Sequence, residues 1–341
     1  MRSHTWKFGE RQMAVQSTAR IESEKNEPIV RMTRDSATQV RVLCATDLSP
    51  RSQRAVARAM RLGRQLDAQL IMLHVIDPAE YASDSMHARD EIARQLSAVG
   101  VDTRREPEIR VRTGNYVEGI AAVAREADTD IIILGAQGRR SLAPLVGTSA
   151  ERITALAGRP ALIVNQESHR RYDAVVIAAE LSDAFVQVVR VASSLMLLDA
   201  ERVSIVHRLE LPRGPLFAFD ALAAGRNLEA WEKAAKARVL RHLDAAGVES
   251  SRARIIFQQA PPIRAMRRVI RSVKAGLVIV GAKDRSIFSR AMWGNLANDA
   301  LRKLECDILV AAPKVESVAG TVKQDMASQR IDLRPRELRL S

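Results

Sequence analysis

Cysteine and histidine are scarce in this chain of 341 residues. The two cysteines, Cys44 and Cys306, lie in separate apolar segments, which argues against a disulfide framework and for reduced thiols in a cytoplasmic protein. The six histidines are scattered, so the sequence offers no cluster with the spacing of metal ligands.

Apolar runs that could cross a membrane are also missing, since none reaches about 18 residues. The N-terminus lacks the apolar core of a secretory signal, and we expect no membrane partner. Residues 1–38 and 314–341 hold no periodic apolar pattern, so we interpret them as a polar, flexible extension and a charged tail. Met13 or Met32 could be the true start of the chain.

The same pattern occurs twice along the chain. Ala-Thr-Asp-Leu-Ser at 45–49 returns as Ala-Glu-Leu-Ser at 179–182, about 133 residues later, while Leu-Gly-Ala-Gln at 134–137 returns as Val-Gly-Ala-Lys at 280–283, about 146 later. One jump in a constant offset predicts two homologous domains, the second with about 13 extra residues between His207 and Ala260. We place these domains at 39–167 and 168–313.

Positive charge is concentrated in the second domain. The net charge of +13 divides into +2 for 1–38, +1 for 39–167, +8 for 168–313 and +2 for 314–341. One predicted helix opposes an apolar face (Ile263, Met266, Ile270 and Val273) to a basic face, Arg264, Arg267, Arg268 and Arg271. That face is either simply solvated or a site for an anionic or protein partner. It lacks interleaved aromatic residues, so specific nucleic-acid recognition is not expected.

Short β-branched runs alternate with helical patterns in both repeats. Strands are predicted at 39–46, 70–76, 109–113, 131–134 and 161–165, then at 174–179, 202–208, 254–258, 277–280 and 308–312. Helical patterns of the first repeat occupy 50–66, 83–99, 115–127 and 148–157. This order predicts an α/β fold in which each domain is an open five-stranded, mostly parallel sheet with helices on both faces. The extra residues of the second repeat, around 211–227, are expected to form a longer excursion.

Glycines follow the fourth strand of the first repeat, at the sheet edge where ligands bind. The glycines of segment 135–138 allow backbone N–H groups to approach phosphate oxygens, and Gly147-Thr148-Ser149 then opens a helix whose dipole favours an anion. The two segments predict a phosphate cradle, although tight turns alone would also explain the glycines.

Two polar positions have simpler interpretations beside a role in binding. Asp47, at the end of the first strand, could cap the helix that starts near Pro50. His74 and His207 occupy equivalent strand positions, which favours packing or hydrogen bonding over a ligand role.

Taken together and repeated twice, these motifs resemble the universal stress protein family, which is related in fold to flavodoxin-like and adenine-nucleotide α-hydrolase proteins. Nucleotide-binding members carry an Asp after the first strand, an HVxD-like end of the second strand and a Gly-x2-Gly-x9-Gly-Ser/Thr loop. The counterparts here are Asp47, the segment 74–77, and Gly135-x2-Gly138-x8-Gly147-Thr148. The resemblance covers about 40–166 and 172–312 and implies two tandem domains of this fold.

The resemblance also implies an adenine nucleotide (ATP, ADP or AMP) as the ligand of the first domain, with Mg²⁺ as a candidate companion. Asp47 would contact the nucleoside with Ala45 nearby, and Val75 would line the adenine site. Ribose and phosphates would contact Leu134, Gly135, Gln137 and Gly138, and the distal phosphates Gly147, Thr148 and Ser149. Because the loop spacer is one residue shorter than in the family, AMP or ADP is better supported than ATP.

The second domain departs from this pattern. Glu180 replaces the Asp, Asp284 puts a carboxylate in place of the second glycine, and Asn295 replaces the hydroxyl residue. Two anions a few Å apart repel by roughly several kcal/mol at an effective dielectric of about 20. We expect a degenerate site that supports dimerisation or binds something else; its candidate residues are Glu180, Gly281, Lys283, Asp284, Gly294 and Asn295.

No Ser, His and Asp set has matching roles in both repeats, and the glycines lack a P-loop lysine. We therefore predict a nucleotide-binding stress-response module without dedicated catalysis. A weak ATPase, or a non-nucleotide interaction protein that uses the basic second domain, is the alternative. The resemblance also implies that the two domains pair about a pseudo-two-fold axis, as single-domain members of the family do in dimers, with the fifth strands at the seam. A homodimer is a candidate assembly.

Overall fold

The computed structural model describes residues 39–78, 85–136, 149–167, 171–179, 183–195, 197–200, 202–209, 221–249, 253–258, 262–281 and 295–311. The expectations for 1–38 and 314–341 lie outside the described residues.

Among the described residues, ten strands, five from each repeat, form the centre of the structure. Their bounds agree within one or two residues with the sequence prediction, because strands covered on both faces are apolar almost throughout. In chain order, β1 to β10 are Arg41–Ala45, Gln69–Ile76, Glu108–Thr113, Ile131–Gly135, Ala161–Val164, Ala174–Ala179, Arg202–Arg208, Ala253–Gln258, Leu277–Gly281 and Asp307–Ala311.

Eight α-helices are described between the strands. The four predicted in the first repeat are confirmed, each with ends within two residues of the prediction. In chain order, α1 to α8 are Ser52–Leu66, Ser85–Val99, Tyr116–Glu126, Ser149–Ala157, Asp183–Ser194, Ala221–Ala245, Pro262–Val273 and Asn295–Lys303. A short 3-10 helix spans Leu197–Asp199.

The extra residues of the second repeat lengthen a helix. Helix α6 has 25 residues, whereas its counterpart α2 has 15. Of the residues expected to form a longer excursion, around 211–227, residues 221–227 are the first two turns of α6. The preceding residues, 211–220, lie outside the described residues.

All ten strands belong to one sheet, in the order β3-β2-β1-β4-β5-β10-β9-β6-β7-β8. The five strands of each repeat are parallel to one another, and β5 pairs antiparallel with β10. The seam predicted from sequence, between the two fifth strands, is confirmed.

The seam has the register of a pseudo-two-fold axis. Leu162 pairs with Leu309 at its centre, and each is the counterpart of the other in the duplicated sequence. On one side Ile163 pairs with Ile308, and on the other Ala161 pairs with Val310. The axis therefore passes through the Leu162–Leu309 pair.

Apolar side chains cover both faces of the sheet. On one face, α1, α2, α5 and α6 pack against a single cluster that runs through both repeats. On the other face, α3 and α4 cover one cluster and α7 and α8 another, and Ala161 and Ile163 of β5 belong to the latter. The two domains thus share their core on both faces of the sheet.

Candidate functional site

The candidate site of the first domain lies where strand order reverses. Strands β1 and β4 are neighbours, with Ala45 opposite Leu134, while the chain leaves them toward opposite sides of the sheet. Such a reversal opens a crevice beyond the carboxyl ends of the strands. The predicted residues Ala45, Asp47, Val75, Leu134 and Gly135 all follow or end strands at this edge.

The Asp47 carboxylate is exposed but held in place. Its Oδ1 accepts hydrogen bonds from the backbone N–H of Ser49 at 3.0 Å and from the Ser49 hydroxyl at 2.6 Å. Partial burial raises the pKa of Asp47, but hydrogen bonds from Ser49 and Ser52 outweigh burial and hold the pKa below its usual value. The carboxylate is therefore charged at neutral pH.

The capping interpretation of Asp47 is wrong. Helix α1 begins at Ser52, and its N-cap residue, Arg51, makes no side-chain cap hydrogen bond. Ser49 instead accepts a hydrogen bond from the backbone N–H of Ser52 at 3.3 Å. Asp47 therefore positions the Ser49 side chain, and the Ser49 hydroxyl is hydrogen-bonded to the first residue of α1.

A buried polar network that the sequence analysis missed supports this loop. The Thr46 hydroxyl lies 2.8 Å from the Ser52 hydroxyl and donates to Oε1 of Gln95 at 3.2 Å. Gln95 also donates to the Leu48 carbonyl at 3.0 Å, and Leu48 has a left-handed backbone with φ of 62°. The sequence signal for this network was Gln95, a polar residue on the buried face of α2.

The two equivalent histidines make equivalent hydrogen bonds. Nδ1 of His74 lies 2.9 Å from the Thr46 carbonyl, and Nδ1 of His207 lies 2.8 Å from the Ala179 carbonyl. Because a carbonyl only accepts, Nδ1 carries the proton in both rings. The hydrogen-bonding role expected for both histidines is confirmed, and each ties the end of one strand to its neighbour.

Apolar residues form one wall of the crevice. Ala45, Val75 and Leu134 belong to or border the cluster beneath α3 and α4, and Leu134 is buried. A Cβ on Gly119 of α3 would come within 3.2 Å of Val75, so this glycine lets α3 approach the strand end closely. Ala45 and Val75 are only partly buried.

The N-termini of α3 and α4 meet beside this wall. The Tyr116 phenol, at the first residue of α3, lies 2.5 Å from the hydroxyl of Ser149, the first residue of α4. Asn115 caps α3 by accepting from the backbone N–H groups of Val117 and Glu118. Tyr116 is 42% exposed and was not among the predicted site residues.

Gly135 does not need the conformational freedom of glycine. It is not among the described glycines with positive φ, and a Cβ there would meet Ser52 at 3.4 Å, an ordinary contact. The tight-turn interpretation is therefore wrong for Gly135. The other first-domain candidates, Gln137, Gly138, Gly147 and Thr148, lie outside the described residues.

At the second candidate site, the described residues show one more departure from the first. His74 and His207 make the same bond, so the strand registers equate Val75 with Arg208. The partly buried Arg208 thus occupies the position of the apolar Val75. The sequence shows this substitution, since Arg208 directly follows His207. A Cβ on Gly281 would lie 3.1 Å from Val188, so this strand end is packed more tightly against its helix than Gly135.

The side chains of the remaining second-site candidates are not described. Helix α8 begins at Asn295, whose side chain is not described. Glu180, Lys283, Asp284 and Gly294 lie outside the described residues.

The basic face of α7 is exposed. Of its predicted apolar face, Met266 is buried and Ile263, Ile270 and Val273 are partly buried against the core, with Val269 buried beside them. Among the described residues, no carboxylate forms an ion pair with the four arginines, which are Arg264, Arg267, Arg268 and Arg271.

The described ranges lack a metal cluster and a membrane span. These contain no group of three or more His, Cys, Asp or Glu side chains that could hold a metal ion. Their helices include none of the length and apolarity that a membrane span needs.

The fold is similar to that of solved structures. A universal stress protein from Archaeoglobus fulgidus DSM 4304 is 18% identical with a TM-score of 0.57, covering 80% of this chain and 98% of that one. A functionally unknown protein from Pseudomonas aeruginosa PAO1 is 16% identical with a TM-score of 0.57, covering 85% and 97%. At these identities the likeness shows the fold.

Sequence comparison identifies the family. The model of the universal stress protein family matches residues 40–165 and again 171–312, so the chain belongs to this family and carries its domain twice. Among curated proteins, universal stress protein A homolog 1 of Coxiella burnetii is 27% identical over 131 residues, which covers 34% of this chain and 89% of that protein.

Proposed function

We propose that this universal stress protein binds one adenine nucleotide per chain, in the first domain (39–167), and acts as a cytoplasmic regulatory module of the stress response without dedicated catalysis. The observation that carries the proposal is the convergence at one sheet edge of a fixed, charged carboxylate, an apolar wall and a helix N-terminus, supplied by Asp47, Val75 and Ser149.

The chemistry of these groups fits a nucleoside. A carboxylate held by Ser49 can accept hydrogen bonds from ribose hydroxyls, while the apolar wall suits a purine ring. The N–H groups that open α4 favour a phosphate. The Tyr116 phenol already bonds Ser149 and lies where such a phosphate would compete for that hydroxyl.

The second domain (168–313) is proposed to leave its equivalent site without a nucleotide. Arg208 in place of Val75 would have to bury a guanidinium against a purine ring, at the cost of losing water around the charge. The carboxylates of Glu180 and Asp284 add repulsion toward phosphates.

Calorimetric titration with ADP, AMP and ATP tests this division. One nucleotide should bind per chain, and Gly138→Asp should weaken affinity at least tenfold, about 1.4 kcal/mol. Gly281→Asp, a glycine-to-aspartate change at the second site, should leave the affinity of the first site unchanged. Two bound nucleotides, one of them lost in Gly281→Asp, would show that both domains bind.

A second variant tests the apolar wall. Val75→Arg copies the second domain's residue into the first and should abolish binding, whereas Val75→Ile should preserve it. Mass spectrometry of small molecules released from the purified protein would identify the natural ligand. If Val75→Arg binds ADP normally, the wall is not the adenine site.

The exposed arginines of α7 favour a second role, that of binding an anionic partner. Replacing Arg267 and Arg268 by glutamate should lower the salt concentration at which the chain leaves a heparin column. Arg104 and Arg105, exposed on the first domain, provide the matched charge change and should have a smaller effect. Equal shifts from both pairs would show that the α7 face acts only through the net charge of the protein.

A further inference from the structure

One corner of the seam contains a buried cluster of charged and polar groups. Asp307, the first residue of β10, is fully buried. Its Oδ1 accepts from the backbone N–H groups of Asn165 at 2.8 Å and Gln166 at 3.0 Å, and its Oδ2 accepts from the Tyr172 hydroxyl at 2.6 Å. The Arg58 guanidinium lies 3.4 Å from the same Oδ2.

This cluster joins the two domains. Arg58 belongs to α1 of the first domain and is 4% exposed, whereas Asp307 belongs to β10 of the second. The Arg58 guanidinium also stacks over the Tyr172 ring, 4.0 Å from its centroid. Each buried charge depends on a partner in the other domain, because an uncompensated charge in this interior would be strongly unfavourable.

The pseudo-two-fold axis relates this corner to a second corner that lacks this ion pair. Helices α1 and α5 bury equivalent positions, since Ala55 and Ala59 correspond to Val188 and Ala192, and this register equates Arg58 with Val191. Ile132 pairs with Ala161 as Val278 pairs with Ile308, and this register equates Asp307 with Pro160. The opposite corner therefore has Val191 and Pro160 in place of the ion pair.

The asymmetry decides which pairings at this seam satisfy the buried charges. Two first domains paired through β5 would place an Arg58 beside a Pro160 at both corners. Two second domains paired through β10 would place an Asp307 beside a Val191 at both corners. Either arrangement buries two charges without counter-charges, and only a first domain against a second domain satisfies both.

We infer that the Arg58–Asp307 cluster makes this seam an interaction surface for one partner, the other domain of the tandem chain, and excludes pairing of like domains from two copies. The fifth-strand edges of this protein are thus specific for one another. A homodimer in which each chain keeps its own two domains paired must form through a different surface.

Cysteine reporters at the pseudo-two-fold axis can detect the excluded pairings. Leu162→Cys faces Leu309 in the native chain but would face its own copy if two first domains paired. Leu309→Cys reports pairing of two second domains in the same way. After oxidative refolding of the full-length chain, with Cys44 and Cys306 replaced by alanine throughout, disulfide-linked dimers are measured on a non-reducing gel.

The expected result is a crossed pattern. Arg58→Met removes the charge that blocks pairing of first domains and should raise dimers of the Leu162→Cys chain roughly tenfold, without raising those of the Leu309→Cys chain. Asp307→Leu should do the reverse. Arg58→Lys keeps the charge and should match the parent chain.

A general loosening of the seam would raise the dimers of both reporter chains and would not produce this crossed pattern. If either substitution raises both reporters equally, or if neither reporter responds in chains that unfold cooperatively, the inference is wrong. Asp307→Asn, which keeps the shape and removes the charge, replaces Asp307→Leu should the leucine variant not fold. It carries the same expectation.

Discussion

Two buried thiols should make this protein lose stability in alkaline solution. Burial raises the pKa of Cys44 from 9.0 to about 12, and burial, helped by the nearby carboxylates of Asp307 and Glu305, raises the pKa of Cys306 to about 12. Above pH 9 the unfolded chain releases these protons while the folded chain keeps them. The unfolded state is then favoured, so stability falls as pH rises.

The magnitude follows from the difference between the two pKa values. At pH 10.5 a thiol of pKa 9.0 is almost wholly ionised and one of pKa about 12 is almost wholly protonated. Each thiol then lowers the free energy of unfolding by about 2 kcal/mol relative to pH 8, and the two together by about 4 kcal/mol. The stability is fully present below pH 9 and is lost progressively toward pH 12.

Urea unfolding followed by circular dichroism at pH 8 and pH 10.5 measures this loss. The matched control replaces Cys44 and Cys306 with alanine. The control is less stable at pH 8 because methyl groups replace buried sulfur atoms, but its loss between the two pH values should be about 4 kcal/mol smaller. An identical loss in both chains would refute the role of the thiols.

Three further changes test the packing and the helix ends. Arg58→Met should lower the free energy of unfolding by about 3 kcal/mol, because it leaves a buried carboxylate without its cation; removal of the exposed Arg112–Glu126 pair should cost less than about 1 kcal/mol. Gly63→Ala, although alanine favours helix, should destabilise the protein by roughly 1–3 kcal/mol, because its Cβ would lie 2.8 Å from the Leu70 side chain. Equal or higher stability in thermal unfolding would contradict that contact. Asn115→Ala should cost about 1 kcal/mol through the lost cap of α3, and Asn115→Asp should restore it.

The strands and helices were predictable because their signals are local. Strands such as β4 and β9 are covered on both faces and therefore appear as unbroken apolar runs. The helical periodicity of α7 separates its buried Met266 from its exposed Arg267 within one turn. The course of the chain after β7 was not predictable in the same way, since the first turns of α6 are rich in alanine and glycine and lack a clear apolar stripe.

The candidate site was predictable in part. Sequence placed Asp47, Val75 and Leu134 at strand ends, and parallel strands bring such ends to one edge. Tyr116 was missed because its bond to Ser149 depends on how α3 packs beside α4. The supporting role of Gln95 depends likewise on where α2 lies above the loop after β1.

The sequence by itself determined the duplication and the ten strands, because repeated motifs and apolar periodicity can be read along the chain, and the family resemblance those motifs carry supplied the fifth strands as the seam. Only the tertiary structure decided what the seam contains. Arg58, Tyr172 and Asp307 are far apart in the chain, and nothing in their local sequence marks them as partners. Burial makes each of them dependent on the others, and only the packing of two unlike domains about a pseudo-two-fold axis brings them together at one corner of the seam.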